Sequence, residues 1–248
     1  MNFHCEDICK LFGGARALAD LTLEFPPSGI VAIIGPNGAG KTTLLNVLTG
    51  FLAPQCGRVS LGERELTGLA PHKIARLGIA RSFQDLRLIN QVSVLENVLL
   101  ARPNQKGERL LPALLRFGVS TEEKLNHDEA MRWLKFVGLA DTAGQLAGEL
   151  SYGQQKLLTL ACCLATEAKI LLLDEPVAGV HPEMIQKILG LLSELRGQGK
   201  LVVFIEHDIA AVRQIADQVI VMDEGKIIAQ GKPSEVLERP EIIEAYVA

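Results

Sequence analysis

The stretch Ile30–Thr43, IVAIIGPNGAGKTT, constrains this chain more than any other. Its first five residues, Ile30, Val31, Ala32, Ile33 and Ile34, read as a short strand buried in a parallel sheet, and glycines follow at once. Gly35-Pro36-Asn37-Gly38-Ala39-Gly40-Lys41-Thr42 fits G-x-x-x-x-G-K-[ST], and Thr43–Leu48 reads as the helix that this pattern requires. A phosphate chain must be ringed by backbone N–H groups, so glycine is needed where a Cβ would block the approach or where φ must be positive. The helix opening at Lys41 aims its unpaired N–H groups and positive dipole end at the same anion. Gly35–Thr43 are therefore expected to cradle a nucleotide, with Lys41 on the β- and γ-phosphates and the Thr42 hydroxyl on Mg²⁺. The alternative is a glycine-rich turn without a ligand.

With 248 residues, 48% of them hydrophobic, the chain can bury a sizeable core in one or two domains. Its net charge of −4 gives no basic field, so no nucleic acid is expected as a partner. The longest apolar runs, such as Leu157–Ala165 and Leu201–Ile205, are too short to cross a bilayer, and MNFHCEDICK lacks an apolar signal core. A cytoplasmic location is the expectation. Five cysteines, Cys5, Cys9, Cys56, Cys162 and Cys163, are an odd number without metal-ligand spacing. They are expected to be buried reduced thiols with no metal or redox role.

Two strand-like pieces, Asn2–Cys9 and Leu18–Phe25, flank Phe12-Gly13-Gly14, where Phe12 is either a core residue or a flat face for an adenine ring. Gly57–Leu61 suggests an antiparallel strand and Pro71–Leu77 a short helix. Ile79–Phe83 reads as a strand leading to Gln84, either a surface amide or a contact to phosphate or Mg²⁺. From Asp85 the texture turns helical, with Val94, Leu95, Val98 and Leu99 on one face and Ala130, Trp133, Leu134 and Val137 on another. Glu108–Arg116 reads as an amphipathic insert broken by Pro112.

Ser151 and Gln154 match the S-x-x-Q capping box, and Gly153 weakens the first turn of the helix they open, as if another group approached its backbone. A helix N-terminus with a serine hydroxyl is also an anion site. Ile170–Leu173 form a strand buried on both faces, with Asp174 and Glu175 at its carboxyl end, where open α/β sheets place ligands. Asp174 suits Mg²⁺, and Glu175 suits orienting and deprotonating a water. Pro182–Arg196 is an amphipathic helix with Ile185, Ile188, Leu189, Leu192 and Leu195 inward, closed by Gly197. Leu201–Ile205 is the next buried strand, leading to His207, either a satisfied strand-end histidine or a γ-phosphate contact. Val219–Met222 and Ile227–Gln230 form a hairpin around Gly225. The strand ends are expected to gather Lys41, Asp174, Glu175 and His207 around one phosphoryl group.

In this order the motifs resemble the ATP-binding subunits of ABC transporters over essentially the whole chain. Gly35–Thr42 resembles Walker A, Gln84 the Q-loop, Leu150–Gln154 the LSGGQ-type signature, Ile170–Asp174 Walker B, Glu175 the catalytic glutamate, His207 the switch histidine and Phe12 the adenine-stacking A-loop. The resemblance implies an α/β P-loop NTPase core with a mostly parallel sheet (1–84 and 155–248), an N-terminal antiparallel β subdomain and an inserted α-helical subdomain (85–154) carrying the signature. It implies ATP and Mg²⁺ as ligands, with Thr42, Gln84 and Asp174 on the metal. It also implies a second ATP-binding subunit packed head to tail, so that Ser151, Gly153 and Gln154 reach the partner's ATP, and transmembrane permease subunits that place the chain on the inner face of the cell membrane. His181 departs from the Asp or Asn usual in the D-loop, which bears on hydrogen bonding across the dimer. Arg81–Leu88 and Phe204–Asp208 resemble the importers of branched-chain amino acids and of urea or amides, whereas Ala178-Gly179-Val180 also resembles lipopolysaccharide-extracting ATPases. A soluble ABC-type protein acting on nucleic acid or ribosomes is the reading from another class, without the coiled coils or zinc modules usual there.

Overall fold

The computed structural model describes residues 2–84, 86–103, 119–240 and 242; the insert at Glu108–Arg116 and the chain end lie outside them. Two sheets make up the α/β fold. The smaller is antiparallel and contains β1 (Phe3–Phe12), β2 (Ala15–Phe25), β4 (Cys56–Leu61) and β5 (Arg64–Glu65) in the order β2-β1-β4-β5. The larger contains β3 (Gly29–Ile34), β6 (Ile79–Arg81), β7 (Ile170–Asp174), β8 (Leu201–Ile205), β9 (Gln218–Asp223) and β10 (Lys226–Gly231) in the order β10-β9-β3-β8-β7-β6. All its neighbours pair in parallel except β9 and β10, which form a hairpin. Glu224 and Gly225 both take positive φ, 44° and 77°, as the tight hairpin turn demands.

Side chains alternate across the larger sheet with the two-residue period of a strand. Ile30, Ala32, Ile34, Leu171, Leu173, Val202, Phe204, Val219 and Val221 join one apolar cluster with the helices of the middle of the chain. Val31, Ile33, Leu172, Val203, Ile205, Ile220 and Met222 join a second cluster with the antiparallel sheet and with α1 (Lys41–Leu48). The sheet is thus buried on both faces, which is why its strands are written as unbroken apolar runs.

Helices α2 (Pro71–Ala75), α3 (Val94–Leu100), α4 (Val119–Val137), α5 (Tyr152–Ala165), α6 (Pro182–Gly197), α7 (Ile209–Ile215) and α8 (Pro233–Val236) follow the sequence closely. Val94, Val98, Ala130, Trp133, Leu134 and Val137 are buried, with Leu95 and Leu99 packed at the cluster's edge. Gly197 proves to be helical, and the left-handed residue after α6 is Gly199 at φ 78°. Among the described residues no helix is long and apolar enough to cross a membrane.

The cysteine expectation needs correction. Cys9 and Cys56 form a disulfide between β1 and β4, because antiparallel pairing sets these two residues opposite each other. Spacing along the chain could not reveal that register. Cys5, Cys162 and Cys163 are free thiols, and burial pushes Cys5 and Cys163 up to about 12. Phe204 is fully buried in the strand between β3 and β7. Phe204→Ala should lower the unfolding free energy by about 3–5 kcal/mol in a denaturant titration.

Candidate functional site

Three adjacent strands end level. Ile33 of β3 pairs with Ile205 of β8, and Ile205 pairs in turn with Asp174 of β7. The chain leaves β3 through Gly35, in the left-handed region at φ 151°, where a Cβ would run into the carbonyl of Met222. Gly40, at φ 93°, caps α1, and a Cβ there would strike the carbonyl of Ala17. No side chain caps the α1 N-terminus, so its first N–H groups face the loop they close. Lys41 folds back over that loop, its Nζ donating to Gly35 O at 2.7 Å and Pro36 O at 2.8 Å. Burial lowers its pKa, and the charges of Glu175 and Asp174 oppose the shift.

A cavity of about 240 Å³ opens over this loop, lined by Ala17, Asn37, Gly38, Ala39, Gly40, Lys41, Thr42, Thr43, Gln84, Glu175, Ile205 and His207. The Glu175 carboxylate lies between two side chains: His207 Nε2 is 3.3 Å from Oε1, and Gln84 Nε2 donates to Oε2 at 3.3 Å. Its backbone is held at φ 49°, a left-handed conformation that costs a bulky residue on the order of 1–3 kcal/mol. Two contacts impose it: Glu175 N donates to Ile205 O at 3.1 Å, and Lys156 Nζ donates to Glu175 O at 2.7 Å. Strain of this kind concentrates where a side chain must be aimed.

Asp174 ends β7. One residue before Glu175, it is almost fully buried and pairs with Arg81, Nη2 to Oδ2 at 3.4 Å. It borders a separate small cavity with Ser82, Phe83 and Lys156. Burial raises its pKa, and Arg81 pulls it back down. Lys41, Glu175 and His207 line one cavity, and Asp174, whose charge also acts on Lys41, pairs with Arg81.

Two other groups of candidate residues stand outside this cavity. Phe12 ends β1, 51% exposed, with Lys10 Nζ 5.5 Å from its ring centroid. Ser151 and Gln154 close the expected capping box, with Gln154 N donating to Ser151 Oγ at 3.3 Å and Ser151 N to Gln154 Oε1 at 2.9 Å. The group packed near Gly153 is Met184 of α6, and beside Gly179 lies the ring of Tyr152. His181 is the N-cap of α6 but supplies no side-chain cap.

The motifs gave no chemical role to Arg81, Lys156 or Glu206, three buried charges around this site. Glu206 Oε1 accepts from Val177 N at 2.8 Å and Oε2 from His207 N at 3.3 Å, tying the segments after β7 and β8 together. The available signal was a lone charge at the edge of an apolar run, which is costly unless it has a partner.

Residues 18–178 match the protein family described as ABC transporter. The chain is 41% identical over 240 residues to the high-affinity branched-chain amino acid transport ATP-binding protein LivG of Salmonella typhimurium, covering 95% of this chain and 93% of that protein. A solved nucleotide-free ATP-binding cassette from an ABC transporter superposes with a TM-score of 0.87 at 35% identity, covering 100% of both chains. The dimeric structure of a bacterial ABC transporter cassette gives 0.79 at 26% identity, over 94% of this chain and 99% of that one.

The chain belongs to the ABC transporter family.

In this ABC ATPase, burial raises the pKa of Glu206 above its ordinary 4.5. The folded state then holds a proton that the unfolded state has released, so stability falls as pH rises from 4.5 through the raised value. Denaturant midpoints should decline with pH in that window, and Glu206→Gln should flatten the decline.

Proposed function

We propose that this chain hydrolyses ATP to drive import of branched-chain amino acids, or a related small polar solute, through separate transmembrane permease subunits. The observation that carries the reading is the shared cavity in which Lys41 and the glycine loop face Glu175, Gln84 and His207. The uncapped α1 N-terminus and the loop N–H groups suit the triphosphate, and Lys41 supplies the balancing charge. Glu175 orients the attacking water and takes its proton as the bond to the γ-phosphorus forms and ADP leaves. His207 and Gln84, each 3.3 Å from one of its oxygens, hold that carboxylate in place.

Thr42, Gln84 and Asp174 offer only oxygen donors to a metal, a hard set that fits Mg²⁺. Bound there, Mg²⁺ would screen the charge on the phosphoryl oxygens. Phe12, at an exposed strand end, is the surface on which the adenine stacks.

The signature residues Ser151, Gly153 and Gln154 lie outside the cavity of their own chain, so we assign them to the ATP of a second cassette packed head to tail. The likeness to a dimeric cassette supports this arrangement. A groove of about 440 Å³, lined by Phe51, Pro71, Phe83, Leu88, Ile89 and Leu100 among others, is assigned to a segment of the permease, which would hold the chain at the inner face of the membrane. The importer reading rests on the likeness to LivG over nearly the full length.

Glu175→Gln should bind ATP with an affinity close to the parent's while slowing turnover about 10²–10⁴-fold. Purified variant and parent compared by phosphate release and by nucleotide binding would decide it: unchanged turnover removes Glu175 from the mechanism.

A further inference from the structure

Arg81 carries no chemical role in the motifs, yet it is among the most enclosed cations described, its side chain 4% exposed. Its guanidinium is held from several directions. Nη2 donates to Asp174 Oδ2 at 3.4 Å, while Nη1 donates to Asn46 Oδ1 at 2.7 Å and to Thr49 Oγ1 at 3.2 Å. Its carbon lies 4.9 Å from the ring centroid of Phe83 and 5.8 Å from that of Phe51. Its Nε is buried without a hydrogen-bond partner. An unpaired buried donor costs about 1–3 kcal/mol, so stability alone does not explain the arrangement. Replacing such a pair by apolar residues is often neutral or stabilising.

We infer that Arg81 is a positioning residue for Asp174. The carboxylate is planar, so fixing Oδ2 also fixes the direction of its other oxygen. Arg81 and Asp174 stand on neighbouring strands, β6 and β7, with Arg81 opposite Leu172 in register. Asn46 and Thr49 belong to the end of α1 and its C-cap, so the guanidinium connects the helix that opens at Lys41 to the strand that ends in Asp174. Ser82, the next residue, accepts a hydrogen bond from Asp174 N at 3.0 Å. Side chain and backbone of Asp174 are thus oriented by two consecutive residues. Partners that orient a metal-binding group change metal affinity by about 10–100-fold when removed.

The inference rests on the nucleotide reading above, and its test separates the two. Full-length parent, Arg81→Met, Arg81→Lys, Asp174→Asn and the double variant are titrated with a fluorescent ATP analogue, first in a chelator and then with increasing Mg²⁺. In the chelator Arg81→Met should bind the analogue within about threefold of the parent. Its Mg²⁺ midpoint should rise about 10–100-fold. Arg81→Lys should recover part of that loss, because an ammonium keeps the charge but not the planar fork. Adding Arg81→Met to Asp174→Asn should move the midpoint less than about threefold, since the residue acts through the carboxylate. An unchanged midpoint in folded Arg81→Met, or equal losses with and without Mg²⁺, overturns the assignment while leaving the nucleotide reading intact. A parent that binds no analogue overturns both. Should Arg81→Met not fold, Asn46→Ala, which removes the 2.7 Å tether, must still raise the midpoint, and no rise overturns the assignment.

Discussion

The parallel pairing of β3, β8 and β7 is the constraint on which the site depends. With Ile33, Ile205 and Asp174 level, the segments that follow emerge at one edge of the sheet and must share the space beyond it. The glycine loop, Glu175 and His207 are then neighbours although they come from distant parts of the chain. A slip of one residue in either pairing would exchange the two faces of a strand, and both apolar clusters depend on those faces. The packing of the core therefore holds the geometry of the site.

Behind the cavity lies a layer of buried charge. Lys156 reaches from α5 to the carbonyl of Glu175, Glu206 bridges Val177 and His207, and Arg81 joins Asp174 to α1. Each is a polar group removed from water, and each uses hydrogen bonds to link segments that the sheet alone would leave as independent loops. Lys156 is the most direct of these links. It stands on the helix that the signature residues open and bonds the backbone of Glu175, already held at positive φ. The signature and the proposed base are mechanically joined within one chain even though they serve different nucleotides in the proposed dimer.

Much of this was legible before any coordinates. The β3–loop–α1 unit, the strands Ile170–Asp174 and Leu201–Ile205 and the capping box at Ser151 follow from local rules: apolar runs, glycine where a Cβ cannot fit, and a hydroxyl three residues before a glutamine. Other features escaped because they depend on register or on direction. The Cys9–Cys56 disulfide needs the pairing of β1 with β4, and the buried pair of Asp174 with Arg81 needs the pairing of β7 with β6. Gly153 has a close neighbour within the chain, Met184, which no reading of helix propensity could name.

By itself the amino-acid order determined which segments become strands and helices and which residues carry chemistry, because those properties reside in short-range sterics and in the side chains themselves. Only the tertiary structure decided which of those residues meet. Lys41 faces Glu175 and His207, Asp174 turns to Arg81 some ninety positions away, and Phe12 and Ser151 stay outside the cavity. Such contacts are set by strand register and by the burial of whole faces, and both are properties of the assembled sheet rather than of any segment within it.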